Sequence, residues 1–108
     1  MIIFLALSAA TAITTAQATA IRCVAGLAIV ADEQKHGEGW TDYPDLNKYG
    51  PDFATLVGED VMKTTGKTQE QVRDLIYADV EEFKKQAAID RSEIDKCAAI
   101  MMASLPPQ

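Results

Sequence analysis

The sequence predicts an all-α fold, a small bundle-like domain of four helices with one disulfide joining the first and last helices and a signal peptide before it. Apolar residues recur at steps of three and four in four separate segments, which is the spacing of a helix face. No segment shows the two-residue alternation of a half-buried strand. Two cysteines stand far apart in a chain whose 108 residues suffice for a single domain.

Residues 1–20 have the character of a signal peptide. Ile2–Ala12 is an apolar run, and two A-x-A patterns follow it, so cleavage is predicted to leave Thr19 or Ile21 as the first residue. The run is shorter than the roughly twenty residues that a membrane-spanning helix needs. No Lys or Arg precedes it, which an upstream start codon would explain, and the alternative interpretation is an uncleaved anchor helix. The predicted mature domain comprises residues 21–108.

The first helix of the domain is predicted over Ala20–Gln34. Its apolar residues extend well beyond one stripe, which is typical of a helix that is buried on most sides. Gly37 and Gly39 then end the helix, and residues 35–50 form an irregular connection. This connection, called the aromatic segment below, holds the only tryptophan, the only histidine and two of the three tyrosines.

The third helix is predicted over Thr68–Ala88 and begins with a capping box formed by Thr68 and Gln71. It is strongly amphipathic, and we expect it to be the element around which the other helices pack. Its inner face carries Val72, Leu75, Ile76, Val80, Phe83 and Ala87.

The second and fourth helices complete the predicted bundle. The second begins at Pro51, because proline suits the first helical position, and it ends before Gly66. The fourth extends over Ser92–Ala103, with Asp90 or Ser92 as its cap.

Cys23 and Cys97 are predicted to form the disulfide, because an even number of cysteines in an exported protein usually pairs. The bond requires the first and fourth helices to lie side by side, with Cα atoms within about 7 Å. It would stabilise the fold by roughly 4 kcal/mol by lowering the entropy of the unfolded chain. The alternative is a redox or nucleophilic thiol, but the C-x-x-C spacing of such sites is missing.

Composition and motifs argue against catalysis and against binding of nucleic acids. Acidic residues outnumber basic ones by 16 to 10, and the net charge of −6 disfavours nucleic acids and anionic lipids. His36 is the only histidine, and Ser92 and Ser104 lie outside any G-x-S-x-G turn, so neither a hydrolytic triad nor a zinc site is predicted. We therefore expect a non-catalytic protein with no cofactor, no metal and, after cleavage, no membrane insertion.

Two sets of residues are candidates for a functional role. Trp40, Tyr43 and Tyr49 lie in the aromatic segment and would form a protein-binding surface, or alternatively a lid over one end of the core. Asp79 falls in the middle of the apolar stripe of the third helix. A carboxylate there is either a satisfied buried polar group or the edge of a cleft, and its partner would be Arg22 or a helix N-terminus.

These features indicate a protein-binding role outside the cytoplasm. The acidic residues in and near the aromatic segment, Glu38, Asp42, Asp45 and Asp52, would favour a basic periplasmic or secreted protein as the partner. The alternatives are a small-ligand carrier or an enzyme centred on Asp79, and a structural component of the cell envelope.

The architecture resembles that of small exported α-helical proteins of Gram-negative bacteria with one disulfide between helices. Immunity proteins against secreted toxins and acid-stress chaperones are examples. The resemblance is one of architecture and no residue motif accompanies it. It implies a periplasmic or secreted location and a non-catalytic, immunity- or chaperone-like role.

Overall fold

Four helices make up the regular secondary structure of the described residues, and they confirm the all-α prediction. The computed structural model describes residues 11–107. The helices are α1 (Thr15–Lys35), α2 (Leu46–Thr65), α3 (Gln69–Lys84) and α4 (Arg91–Ser104). Over residues 11–107 there is no strand, and no helix is long and apolar enough to cross a membrane.

α1 is the central helix, and the other three pack against it. Seven of the ten residues from Ile21 to Val30 are buried, as the continuous apolar sequence predicts. α2 also touches α3 and α4, whereas the backbones of α3 and α4 do not approach each other within the described residues. α3 buries only Val72 and Phe83 fully. The expectation that the other helices pack around α3 is therefore wrong. α1 is the buried helix at the centre, and the amphipathic α3 packs against one side of it.

Gly26 of α1 lies where side chains from α3 and α4 come closest to the central helix. A Cβ atom added to Gly26 would lie 3.0 Å from Cζ of Phe83 and 3.0 Å from Cδ1 of Ile94. Both of these side chains are fully buried. The absence of a side chain at Gly26 therefore lets α3 and α4 reach the same point of α1.

α1 begins five residues earlier than the sequence predicts, at Thr15 instead of Ala20. Thr14 and Gln17 form a capping box, in which the Gln17 N–H donates to Thr14 Oγ1 at 3.0 Å and the Thr14 N–H donates to Gln17 Oε1 at 3.1 Å. These bonds satisfy two backbone donors at the start of α1, so the helix extends back to them.

α2 also begins five residues early, at Leu46 instead of Pro51. Asp45 caps it, because the Asp45 carboxylate accepts a hydrogen bond from the Asn47 N–H at 3.1 Å. Pro51 therefore lies inside the helix. Because proline has no N–H, the backbone hydrogen bond from residue 51 to the Asn47 carbonyl is missing. The end of α2 is as predicted, with Gly66 in the left-handed conformation as the C-cap.

The capping box predicted for α3 is present, since the Gln71 N–H donates to Thr68 Oγ1 and the Thr68 N–H donates to Gln71 Oε1. α3 ends at Lys84, four residues before Ala88. α4 is capped by Asp90, the first of the two predicted caps.

The predicted signal peptide overlaps α1. Its first ten residues lie outside the described residues, but Thr15–Ala20 belong to the first two turns of α1. Both predicted cleavage points, before Thr19 and before Ile21, fall within this helix. Cleavage itself stays a prediction.

The predicted disulfide between Cys23 and Cys97 is present and joins α1 to α4. The two Cα atoms are 5.0 Å apart, and both cysteines are buried. The bond closes a loop over a sequence separation of 74 residues, so it fixes the last helix to the first across most of the chain.

Replacing both Cys23 and Cys97 with alanine is expected to lower the free energy of unfolding by up to about 4 kcal/mol, because the unfolded chain gains the entropy of an open loop. Urea unfolding followed by circular dichroism measures the change. Wild-type protein in excess reductant is the matched control and should shift in the same direction. An unchanged unfolding midpoint would contradict a stabilising role for the bond.

Candidate functional site

Gln34, in the last turn of α1, bonds to the middle and to the far end of the loop that follows. Its Nε2 donates to the Trp40 carbonyl at 3.2 Å and to the Pro44 carbonyl at 3.0 Å. Its Oε1 accepts from the Leu46 N–H, at the start of α2, at 3.0 Å. The sequence does not indicate this role of Gln34, because a polar side chain near the end of a helix is not part of a recognisable motif.

Trp40 is fixed within the aromatic segment by its backbone and its ring. Gly37 and Gly39 have positive φ angles, and Trp40 follows them with φ of 61°, the one non-glycine residue among those described with a positive φ. The Trp40 Nε1–H donates to Glu33 Oε1 at 2.7 Å. The ring meets that of Tyr43 edge to face, with the centroids 4.9 Å apart.

Arg91, at the start of α4, completes a cluster with these two rings. Its Cζ lies 4.8 Å from the centroid of Trp40 and 5.1 Å from that of Tyr43, and its guanidinium pairs with Asp42. This ion pair lowers the pKa of the Asp42 carboxyl. The Tyr43 hydroxyl donates to Asp95 of α4, and burial together with this carboxylate raises the pKa of Tyr43 to about 12. The aromatic segment is thus tied to α4 as well as to α1.

Tyr49, the third residue predicted for this site, lies apart from the cluster. It belongs to α2 and packs, half-buried, against the core. Lys48 Nζ lies 5.2 Å from the centroid of its ring. The early start of α2 places Tyr49 in a helix, so the structure brings together two of the three predicted residues.

An open depression of about 410 Å³ lies beside the cluster. Trp40 and Tyr43 keep part of their surface exposed, and both line it. The full lining consists of Gln34, Lys35, Gly39, Trp40, Thr41, Tyr43, Asp45 and Asn47.

The contacts of Trp40 and Tyr43 are also those that a lid would make. Both rings pack against the core, and their polar atoms bond to Glu33 of α1 and Asp95 of α4. A structural role and a binding role are compatible in such a cluster, because rigid, partly exposed rings can do both. The binding role stays a prediction.

Asp79 lies half-buried on α3, close to a cation of α1. Burial raises the pKa of Asp79, the positive charge of Arg22 opposes this shift, and the charges of Glu82 and Glu93 add to it. The hydrogen bonds of Arg22 go to Glu93 of α4, and its Cζ lies 4.1 Å from the centroid of the Phe83 ring. Arg22 is therefore near Asp79, as the sequence suggests, but its direct partner is Glu93.

A groove of about 540 Å³ lies between α2 and α3. Val24 of α1 borders it, with Met62 and Ile76 among the apolar side chains along its walls. Asp79 does not line this groove. Within residues 11–107, no group of three or more His, Cys, Asp or Glu residues is arranged to hold a metal ion.

No family model, no curated protein and no solved structure matches this chain.

Replacing Asp79 with asparagine is expected to raise the free energy of unfolding at neutral pH, because the charged carboxylate is disfavoured by burial. The pKa of this carboxyl is higher in the folded chain than in the unfolded chain. At a pH between these two pKa values, the carboxyl takes up a proton when the chain folds. Wild-type stability therefore gains as the pH falls through that window, and the variant lacks this gain. The difference should disappear below the ordinary pKa of 3.8.

Urea unfolding of both proteins between pH 7 and pH 3 measures this difference. Asp74→Asn is the matched control, because Asp74 lies on the same helix and is exposed. An Asp79→Asn variant that is less stable than wild type at pH 7 would show that attraction to Arg22 outweighs burial.

Proposed function

We propose that this protein is an exported, non-catalytic module that binds a basic protein in the periplasm or outside the cell. The observation that carries the proposal is the cluster of Trp40, Tyr43 and Arg91, held in place by α1 and α4. Trp, Tyr and Arg are the residue types enriched at binding hot spots. Because contacts within the protein already order the two rings, less entropy is lost when a partner binds.

The charge of the chain supports a basic partner. The net charge is −6. Near the cluster, Glu38 and Asp45 are exposed, whereas Asp42 is engaged by Arg91. Exposed carboxylates mainly raise the rate at which a basic partner arrives, so the aromatic cluster would supply affinity and the acidic residues would steer the encounter.

Export is supported by the sequence and by the disulfide. Residues 1–20 have the composition of a signal peptide, and Cys23 is bonded to Cys97. Disulfides persist in the bacterial periplasm and outside cells and are rare in the cytosol. The location proposed is the periplasm of a Gram-negative bacterium or its surroundings.

Carriage of a small ligand is the second candidate function, and the groove between α2 and α3 is the observation that favours it. Its volume of about 540 Å³ falls in the range of small-molecule pockets. For this candidate function the site would be the groove and not Asp79, because Asp79 does not line the groove. Native mass spectrometry of gently purified exported protein would detect a bound molecule if this function is correct.

Replacing Trp40 or Tyr43 singly with alanine is expected to weaken binding to the natural partner by at least about 1 kcal/mol, because each ring would be a contact at the centre of the interface. The partner is first identified by cross-linking in periplasmic extract, and its affinity is then measured by calorimetry. Tyr49→Ala should lower the melting temperature and leave the affinity unchanged, since Tyr49 packs against the core.

Tyr77→Ala is the matched control, because Tyr77 is an exposed tyrosine on α3 and should change neither property. If Trp40→Ala and Tyr43→Ala lower only the melting temperature and leave partner affinity intact, the cluster is a lid and the proposed site is wrong.

The exported protein is expected to lack the first 18 or 20 residues and two hydrogens, because of signal-peptide cleavage and oxidation of the cysteines. Intact-mass analysis of the periplasmic fraction, with and without reduction and alkylation, measures both changes. Uncleaved protein, or free thiols in that fraction, would contradict the proposed export or oxidation respectively.

A further inference from the structure

α2 carries an exposed apolar surface beside two carboxylates, on the part of the helix that follows the aromatic segment. Leu56 and Ile100 are two of the four large apolar side chains exposed among residues 11–107, at 40% and 37%. Together with Phe53 and Val57 of α2 they line a cavity of about 230 Å³. Leu56 also borders a second cavity, of about 250 Å³, together with Asp52, Thr55, Leu105 and Pro106.

Asp52 and Asp60 flank Leu56 on the same face of α2. Each is four residues from Leu56, so the two acidic residues lie about 12 Å apart along the helix axis. Both are exposed. On α4, Lys96 stands one turn before Ile100, so the negative charge of this surface is concentrated on α2.

The first turns of α1 show what this surface accepts. Ala16 and Ala20 line the same cavity as Leu56. Between them Gln17 is buried, and its Nε2 donates to Asp60 Oδ2 at 3.0 Å and to Thr64 Oγ1 at 2.8 Å. A helical segment with small apolar side chains and one hydrogen-bond donor therefore occupies the Asp60 end.

Cleavage of the signal peptide would remove this segment. A cut before Thr19 detaches Ala16 and Gln17, and a cut before Ile21 detaches Ala20 as well. Asp60 then loses its donor and stands at the edge of an uncovered apolar wall. A Lys or Arg of a partner would replace the Gln17 amide with a charge-assisted hydrogen bond, which is the stronger kind.

We infer that Asp52, Leu56, Asp60 and Ile100 form the docking surface for a basic amphipathic helix of the protein partner, and that removal of the signal peptide opens its Asp60 end. The helix places apolar side chains on Leu56 and Ile100 and two basic residues, two turns apart, on the carboxylates. The inference rests on the proposed function, because it assumes both a basic protein partner and export with removal of the signal peptide. Because the surface is small, the dissociation constant is expected on the order of 1–100 µM.

The test uses the exported protein and a synthetic helical peptide with two lysines seven residues apart and leucines between them. Fluorescence anisotropy of the labelled peptide is expected to show binding in the micromolar range. The matched peptide with glutamates in place of the lysines should bind at least tenfold more weakly. The uncleaved full chain should also bind the lysine peptide at least tenfold more weakly, because Gln17 then occupies Asp60.

Variants of the exported protein locate the surface. Asp60→Asn should weaken binding about fivefold and Leu56→Ser at least tenfold. Both side chains are exposed, so both variants should fold, which circular dichroism verifies. Asp74→Asn and Tyr77→Ser on α3 are the matched controls and should bind like wild type.

Four results would overturn the inference or one of its parts. Equal binding of the lysine and glutamate peptides, or unchanged binding by Leu56→Ser, rules out the docking surface. Equal binding by the uncleaved chain rules out its opening by cleavage. Absence of peptide binding at micromolar concentrations rules out the inference as a whole.

Failure of this inference can be told apart from failure of the proposed function. If Leu56→Ser still captures the natural partner while Trp40→Ala does not, the proposed function stands and this surface is not used. If neither variant affects capture, both proposals are wrong.

Discussion

Burial of α1 on nearly all sides is the constraint on which the rest of the structure depends. Its middle turns are apolar around most of their circumference, so one covering helix would leave much of that surface in water. Three amphipathic helices surround it and bury the continuous stretch from Cys23 to Leu27. Gly26 lies within that stretch and leaves room for Phe83 and Ile94. Tight packing at this point is what a core of so few residues needs.

Arg22 directly precedes this buried stretch, and its position explains the environment of Asp79. Its guanidinium covers the ring of Phe83 and bonds to Glu93, so it lies between α3 and α4 over the central helix. Asp79, Glu82 and Glu93 all contribute to the electrostatic environment of this one cation. Because Glu93 holds the hydrogen bonds, Asp79 receives only part of the compensating charge, and burial remains the largest influence on its pKa.

The sequence predicts features of this protein that depend on local patterns. The four helices, the capping box at Thr68 and the pairing of Cys23 with Cys97 follow from periodicity, capping chemistry and cysteine count. The start of α1 was misplaced because its cap at Thr14 lies within the segment assigned to the signal peptide. The predicted start of α2 is five residues late, because Pro51 suits a first helical turn and the cap at Asp45 precedes it.

The candidate site was predicted only in part, because its decisive contacts join residues far apart in sequence. Trp40 and Tyr43 stand out by composition, but nothing near them in the chain indicates that Arg91 covers both rings. The role of Gln34 is equally hidden, since its three bonds exist only once the loop has closed. The surface around Leu56 is not predicted for another reason. The spacing of the apolar residues in α2 places Leu56 on the inner face of the helix, and only the packing of the other helices leaves this side chain exposed.

The different attachments of α3 and α4 decide how the native state opens. α4 is joined to α1 by a covalent bond and to the aromatic segment through Arg91. No disulfide joins α3 to another helix. Its two fully buried residues, Val72 and Phe83, lie near its opposite ends. We expect detachment of α3 to need less free energy than detachment of α4, and it would leave a three-helix form closed by the disulfide. That form would uncover Val24 and the adjoining side of α1 while the aromatic segment keeps its shape.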